Sequence, residues 1–163
     1  MAHVRSCGCK LTVMATHTNP VRCVQLAVPE GLAAHIQQQR ELTPRDRGSR
    51  GWQSYPTTDQ PFAWFESVYQ AVAAEHGPVD TWWFNVNTLG EYTNWHAHHR
   101  WSKVAVLYVT VPGGDIEFRK GGAYWRETPR AGDLFVFSGE LDHRVLPNPS
   151  EQVRISVAFN FKN

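Results

Sequence analysis

The stretch from residue 94 to 99, Asn-Trp-His-Ala-His-His, concentrates side chains that can do chemistry. It holds three of the eight histidines within four positions. On a strand, side chains at i and i+2 point the same way, so His96 and His98 share one face and His99 lies on the other. Two imidazoles on one face can bind a single metal ion through their ring nitrogens. Adjacent histidines also occur on ordinary solvated strands, so the pair alone is half of a metal site.

The end of the chain supplies a third histidine and an arginine. Residues 134–137 predict a buried strand, followed by a loop that delivers His143. The last predicted strand has Val153, Ile155, Val157, Phe159 and Phe161 on one face and Arg154, Ser156, Ala158 and Asn160 on the other. The face that carries Arg154 and Ser156 can present a guanidinium fork to an anion inside a cavity.

Together these residues resemble the iron- and 2-oxoglutarate-dependent oxygenases. The matching set is His96-x-His98, His143 and Arg154-x-Ser156. The likeness is closest to the prolyl-hydroxylase-like branch with its small bacterial and phage-associated members, and it covers residues 80–161. It implies a catalytic Fe(II) held by the three histidines, with 2-oxoglutarate as co-substrate and O2 as oxidant. It also implies that oxidative decarboxylation of 2-oxoglutarate is coupled to hydroxylation, or a related C–H oxidation, of an unidentified substrate.

The third ligand departs from the usual pattern of that family. The facial triad is normally two histidines and one carboxylate, and the resemblance puts His98 where the Asp or Glu stands. Three neutral imidazoles leave the full charge on the ion, so metal preference and the binding of an anionic co-substrate should shift. Asp142, beside His143, and Asp115, on a neighbouring predicted strand, are alternative third ligands.

The resemblance also assigns side chains to the co-substrate. Arg154 would pair with the far carboxylate of 2-oxoglutarate, and Ser156 would add a hydroxyl. Tyr108 stands where the prolyl-hydroxylase branch uses a tyrosine for the same carboxylate, although a tyrosine in a strand often belongs to the core. Asn85 and Asn87 share one face of a predicted strand and can touch co-substrate or substrate.

Other interpretations of the same residues stay open. A cupin-type iron dioxygenase with three histidine ligands would use no 2-oxoglutarate, and Arg154 would then bind the substrate's own carboxylate. A non-catalytic jelly-roll protein would only bind a ligand. Arg154 can also form an ordinary ion pair with Asp133 or Glu151 on a neighbouring segment.

Predicted helices precede predicted strands along the chain. One amphipathic helix should run from Pro29 to about Leu42, and a second should be capped by Asp59, with Pro61 in its first turn and Gly77 at its end. Strands are predicted over residues 11–15, 81–87, 103–111, 115–118, 123–127, 134–137, 144–146 and 153–161. This order predicts a mostly β fold, a double-stranded β-helix of jelly-roll or cupin-like type with N-terminal helices packed on one sheet.

We expect a single domain over residues 1–163, with a helical and loop part over 1–78 and a jelly-roll core with the metal site over 79–163. Residues 43–60 show no repeating apolar pattern and are predicted to be a loop. A loop this long in a compact domain is often a lid or a substrate edge, and a plain connector fits equally well.

The charge and the cysteine content of the chain limit which binding partners and which cell compartment are expected. Sixteen Lys and Arg residues against fifteen Asp and Glu residues form no basic stripe, so nucleic acid is not an expected partner. No segment is apolar over the length needed to cross a bilayer, so no membrane is expected. Cys7, Cys9 and Cys23 make no disulfide framework and fit a reducing cytoplasm. The expected partner is a small-molecule or peptide substrate, and the oligomeric state is open.

Overall fold

Two antiparallel sheets face each other, and the chain crosses between them several times along its length. The computed structural model describes residues 19–43, 48–59 and 65–162. In chain order the strands are β1 (Arg22–Gln25), β2 (Trp52–Gln53), β3 (Val79–Asn87), β4 (Thr93–His96), β5 (Lys103–Thr110), β6 (Ile116–Lys120), β7 (Ala123–Glu127), β8 (Asp133–Ser138), β9 (Asp142–Val145) and β10 (Arg154–Phe161). The larger sheet has the order β1-β8-β5-β10-β3-β2 and the smaller one β4-β9-β6-β7. The expected mostly β jelly-roll fold is confirmed.

The helices α1 (Leu32–Leu42) and α2 (Glu66–His76) cover the outer face of the larger sheet. Their apolar side chains join one core with the outward-facing side chains of the sheet. Its members include Leu32, Ile36, Val68, Val72, Trp82, Phe84, Leu107, Val157, Phe159 and Phe161. Burial of this apolar surface fixes which face of β3 and of β10 turns away from the helices, toward the smaller sheet.

A second core fills the gap between the two sheets. It contains Val104, Tyr108, Ile116, Phe118, Phe135, Phe137 and Leu141, with side chains from both sheets. The gap continues past these residues into a polar cavity. The inter-sheet core thus packs against one end of the cavity that the polar side chains line.

Both helices begin later than predicted. Pro29 is not the first helical residue: α1 begins at Leu32, because Gly31 before it has φ 83°, a left-handed conformation that cannot continue a helix toward the N-terminus. Asp59 is not the cap of α2, which begins at Glu66 after Phe65. The backbone carbonyl of Asp59 accepts a hydrogen bond from the Trp82 indole instead. Both predicted helix ends, at Leu42 and before Gly77, are confirmed.

The predicted strands differ from the structure at β1, β2 and β9. His143 lies within β9 and not in a loop before a strand at 144–146. The short strands β1 and β2 were not predicted, because four residues and two residues carry too little periodicity. The predicted strand at 11–15 lies outside the described residues, as do Pro61 and the cysteines Cys7 and Cys9. No helix in the described part of the chain is long and apolar enough to cross a membrane.

Candidate metal and co-substrate site

Three histidines meet at the polar end of the gap between the sheets. His96 ends β4, His143 lies opposite it in β9, and His98 follows two residues after β4. The ring centroids are 4.1 Å apart for His96 and His143, and 5.2 and 5.3 Å from each of these to His98. One nitrogen from each ring lies within 4.8 Å of the other two. Three imidazole nitrogens at this spacing can converge on one metal ion.

Backbone carbonyls fix the tautomers of two of these histidines. Nδ1 of His96 lies 2.9 Å from the carbonyl oxygen of Asn94, and Nδ1 of His143 lies 2.9 Å from that of Leu141. Because a carbonyl oxygen only accepts, Nδ1 must carry the proton in each ring. Nε2 is then left with its lone pair free, which is the arrangement of a metal-binding imidazole.

A glycine turn holds the backbone of the third histidine. The amide of His98 donates to the carbonyl of Gly139 at 2.7 Å, and the His98 carbonyl accepts from the amide of Trp101 at 2.9 Å. A Cβ on Gly139 would lie 1.9 Å from the Trp101 carbonyl oxygen and 2.7 Å from that of His98, so only glycine fits. The His98 ring stacks on Trp83, with centroids 5.9 Å apart. These contacts point the ring toward the other two histidines.

The three imidazoles are held neutral. Burial, followed by repulsion from His96, lowers the pKa of His143 to about 3 and that of His98 to about 4. Burial also lowers the pKa of His96. Neutral imidazoles are metal ligands, so the site needs no deprotonation to bind an ion at neutral pH.

The two carboxylates considered as alternative ligands point elsewhere. Asp142 accepts a hydrogen bond from Arg119 Nε at 3.0 Å, and the carboxylate of Asp115 lies 3.9 Å from Arg126 Nε. Neither carboxylate belongs to the cluster of close ligand atoms, which within the described residues consists of the three histidines.

The histidines line a cavity whose deep end holds a buried guanidinium. The cavity is lined by Gln53, Trp83, Asn85, Asn87, Thr93, His96, His98, Val106, Tyr108, Ile116, His143, Val145, Arg154, Ser156 and Ala158. Every residue predicted to bind metal or co-substrate is among them. Arg154 is only 2% exposed, and burial lowers the pKa of its guanidinium.

The buried guanidinium has neutral hydrogen-bond partners. Nη1 donates to the carbonyl of Leu146 at 3.0 Å and, at 3.4 Å, to those of Gly113 and Gly114. Nη2 donates at 3.4 Å to Asn87 Oδ1 and to the Glu91 carbonyl. Within the described residues Arg154 makes no ion pair, so the alternative pairing with Asp133 or Glu151 is not formed. A buried cation surrounded by carbonyls favours an incoming anion.

A buried phenol without a partner stands beside the guanidinium. Tyr108 is 2% exposed, and its hydroxyl makes no hydrogen bond to any described residue. Burial raises its pKa, so the phenol stays protonated and can donate. A buried hydroxyl without an acceptor costs about 1–3 kcal/mol. An anion between the Tyr108 hydroxyl and Arg154 would satisfy both, and a ligand carboxylate has the right chemistry.

Asn85 orients Ser156, and both its oxygen and its nitrogen take part in hydrogen bonds. β10 pairs Ser156 with Asn85 on β3 and with Tyr108 on β5. Nδ2 of Asn85 lies 3.3 Å from Ser156 Oγ, while Asn85 Oδ1 accepts from Gln53 at 2.8 Å and from the Trp83 indole at 3.1 Å. The amide therefore acts on the cavity mainly by fixing Ser156.

Two residues of the 43–60 segment, which was predicted to be a loop, contribute to the site. Gln53 of β2 lines the cavity, and Arg50 adds to the lowering of the His96 pKa. Part of the 43–60 segment thus borders the site, as a substrate edge would. Gln53 could not be found from periodicity, whereas Trp83 lies on the same predicted strand face as Asn85 and Asn87.

Two comparisons with known proteins agree with this geometry. Residues 118–160, about a quarter of the chain, match the family described as "Putative 2OG-Fe(II) oxygenase". That segment runs from β6 to β10 and contains His143, Arg154 and Ser156, whereas His96 and His98 precede it. No curated protein matches the chain.

Solved structures share the fold over most of the chain. A Pseudomonas putida prolyl-4-hydroxylase is 19% identical with a TM-score of 0.67, over 90% of this chain and 94% of that one. The resemblance to the 2OG-Fe(II) oxygenases is confirmed. The α-ketoglutarate-dependent epimerase SnoN from nogalamycin biosynthesis is 13% identical with a TM-score of 0.60, over 86% of this chain and 76% of that one. AviO1 from Streptomyces viridochromogenes is 15% identical with a TM-score of 0.56, over 86% of this chain and 89% of that one.

The 2OG-Fe(II) oxygenases are oxidoreductases that use Fe(II), 2-oxoglutarate and O2. The match to this family confirms the expected enzyme class and cofactors. The donor set of three neutral imidazoles suits Fe(II). Among the described residues the guanidinium has no ion pair and the phenol has no acceptor, which suits a carboxylate of 2-oxoglutarate.

Proposed function

We propose that this chain binds Fe(II) through His96, His98 and His143 and couples oxidative decarboxylation of 2-oxoglutarate to hydroxylation, or a related C–H oxidation, of a small molecule or a peptide. One observation carries the proposal. A cluster of three metal-binding nitrogens shares a cavity with a buried guanidinium that has no ion pair among the described residues. A reducing cytoplasm, which keeps iron as Fe(II), is the compartment that suits this chemistry.

The histidines supply three ligands and leave the remaining positions of the ion open. An ion held by these three ligands would keep coordination positions free for a co-substrate. Bound iron would supply the oxidising chemistry, with 2-oxoglutarate leaving as succinate and CO2. The protein's task is to keep the three imidazoles neutral and aimed at one point, and to exclude water from the inter-sheet gap.

The end of 2-oxoglutarate that does not contact the metal would bind at Arg154. We propose that Arg154 pairs with its far carboxylate and that the Tyr108 hydroxyl donates to the same group. Both side chains are buried, and among the described residues Arg154 has no ion pair and the Tyr108 hydroxyl has no acceptor. Ser156, paired with Tyr108 in the register, adds a second hydroxyl, which the Asn85 amide orients. Asn87 holds the guanidinium from the side through its Oδ1.

The three-histidine donor set also favours a second candidate function, a cupin-type iron dioxygenase without 2-oxoglutarate. In that case Arg154 and Tyr108 would bind a carboxylate of the substrate itself. The two candidates share the metal and differ in what occupies the deep end of the cavity. Release of succinate separates them.

The test is anaerobic reconstitution with Fe(II), addition of 2-oxoglutarate and O2, and measurement of succinate with a panel of candidate acceptors. We expect slow succinate release without an acceptor and faster release with a true substrate. The variants His143→Ala and Tyr108→Phe should lower it through the metal and the co-substrate respectively. Oxygen consumption with an acceptor but no succinate would favour the cupin-type function.

A further inference from the structure

We propose that Asn160 is a positioning residue for His98. When a metal ion is bound, its Oδ1, which has no hydrogen-bond partner among the described residues, accepts a hydrogen bond from the ring nitrogen of His98 that does not bind the metal. The inference rests on the proposed function, because it concerns the same three-histidine site. It explains how an imidazole can serve at the position where the family normally has a carboxylate.

The strand register brings Asn160 next to His98. Along the cavity face of β10, Arg154, Ser156 and Ala158 line the cavity, and Asn160 is the next residue on that face. β10 pairs Ala158 with Trp83, the residue on which His98 stacks, and pairs Asn160 with Thr81 one step further along β3. The Asn160 side chain therefore lies beside the stacked His98 ring.

The amide of Asn160 is held in one orientation. Its Nδ2 donates to Thr81 Oγ1 at 2.9 Å, so Oδ1 must point the other way. Asn160 is only 2% exposed, and Oδ1 is buried without a hydrogen bond to any described residue. The His98 ring lies within reach of this amide.

The site needs such an acceptor. His96 and His143 each have Nδ1 bound to the carbonyl two residues earlier, which selects one tautomer. No such backbone bond holds the His98 ring in the described chain. A carboxylate ligand has no tautomer to select, whereas an imidazole binds metal only through the nitrogen without the proton. Replacing a carboxylate by His98 thus creates a requirement that the Asn160 Oδ1 meets.

The test is a double-mutant cycle on Co(II) affinity, with Co(II) as a stand-in for Fe(II) that needs no turnover. Partners of metal-bound histidines typically contribute about 10–100-fold in metal affinity. We expect Asn160→Leu, which removes the acceptor at similar volume, to weaken Co(II) binding by about this factor. In a His98→Ala background the same change should have almost no effect, because the ring it positions is gone. Asn160→Asp, which keeps an acceptor oxygen, should restore most of the affinity.

A matched control is Asn148→Ala. Asn148 is also a buried asparagine, 1% exposed, but it donates to the carbonyls of Asn87 and Gln152, away from the histidines. It should leave Co(II) affinity within about twofold, and its effect should add to that of His98→Ala. Thermal melting of each apo variant shows that the protein is folded.

Each outcome of this experiment either supports or overturns the role of Asn160. Coupling between positions 160 and 98, with recovery in Asn160→Asp, supports the inference. Unchanged affinity in Asn160→Leu, or an equal loss with and without His98, overturns it while leaving the metal site in place. Failure of the parent protein to bind Co(II) or Fe(II) would instead overturn the proposed function itself.

Discussion

His96 and His143 are direct cross-strand neighbours. The register of β4 against β9 pairs the two residues, and their ring centroids lie 4.1 Å apart. An irregularity in that register between Thr93 and His96 breaks the regular ladder just before the first histidine. Bulges of this kind often re-aim a side chain next to an active site. The candidate metal site is therefore assembled by pairing two strands that are distant in sequence.

The cross-strand pair predicts a strong dependence of metal binding on both residues. Loss of either imidazole removes one ligand and leaves at most two. We expect His96→Ala and His143→Ala each to weaken Fe(II) or Co(II) binding by at least about 100-fold, since ligand loss should exceed the 10–100-fold typical of outer partners. Isothermal titration under anaerobic conditions measures the change.

His99→Ala is the matched control for this pair. His99 is adjacent in sequence but exposed, and it is not part of the histidine cluster. Its replacement should leave the metal affinity unchanged. An equal loss in His99→Ala and His96→Ala would show that the stretch acts through its fold and not through specific ligands.

Tyr108→Phe should affect stability and co-substrate binding in opposite directions. In the apo protein the change removes a buried hydroxyl without a partner, so the free energy of unfolding should stay equal or rise. Binding of 2-oxoglutarate to the Fe(II) form should weaken by about 10–150-fold, the equivalent of about 1.5–3 kcal/mol for a hydrogen bond to a charged group. Urea unfolding and co-substrate titration report the two effects separately, and a variant that binds 2-oxoglutarate as tightly as the parent contradicts the assigned role.

Gly114 and Gly122 form a matched pair for testing the position of the guanidinium. Their φ angles are 85° and 84°, so an alanine is equally strained at either position. A Cβ on Gly114 would lie 2.0 Å from Arg154 Nη1, whereas one on Gly122 would meet nothing within 4 Å. We expect both alanine variants to lose similar backbone stability, and only Gly114→Ala to lose affinity for 2-oxoglutarate in addition. Equal co-substrate affinity in the two variants would argue against Arg154 as the anion-binding group.

Glu117 predicts a pH-dependent contribution to stability. It is 8% exposed; burial alone would raise its pKa, but hydrogen bonds from Arg126 and Arg144 prevail and hold the pKa below the usual 4.5. A carboxyl with a lowered folded-state pKa stabilises above its unfolded pKa, and this stability is lost as the pH falls through the folded value. The destabilisation caused by Glu117→Gln should thus be full at pH 7 and shrink below about pH 4.5.

Urea unfolding of the parent and of Glu117→Gln at several pH values measures this dependence. Glu140→Gln, at an exposed position, serves as the control and should show no comparable change. A stability difference between parent and Glu117→Gln that is constant from neutral to acidic pH would contradict the ion-pair explanation.

The strand faces could be predicted from the sequence because burial imposes period two. The alternation along 153–161 correctly separated Arg154 and Ser156 from the apolar residues that pack under the helices. The same rule put Asn85 and Asn87 on the cavity side of β3. A local repeat suffices here, because one face of each strand must contact the helices.

The features that complete the site depend on contacts between distant segments. Gly139 is required by its approach to the carbonyls of Trp101 and His98, which no local pattern reveals. Gln53 reaches the cavity through a two-residue strand whose only signal is its partner β3. The late start of α1 did have a local cause, Gly31, but a glycine two residues after a proline does not by itself distinguish a left-handed cap from a helical position.

The most direct test of the account is anaerobic titration of the Fe(II)-loaded protein with 2-oxoglutarate, followed by visible absorption. Chelation of the iron through the 1-carboxylate and 2-oxo group gives a weak charge-transfer band. We predict the band in the parent protein, its loss in His143→Ala, and a shift of its half-saturation to much higher 2-oxoglutarate in Arg154→Leu. A parent protein that binds Fe(II) but gives no band at any 2-oxoglutarate concentration would contradict the central claim.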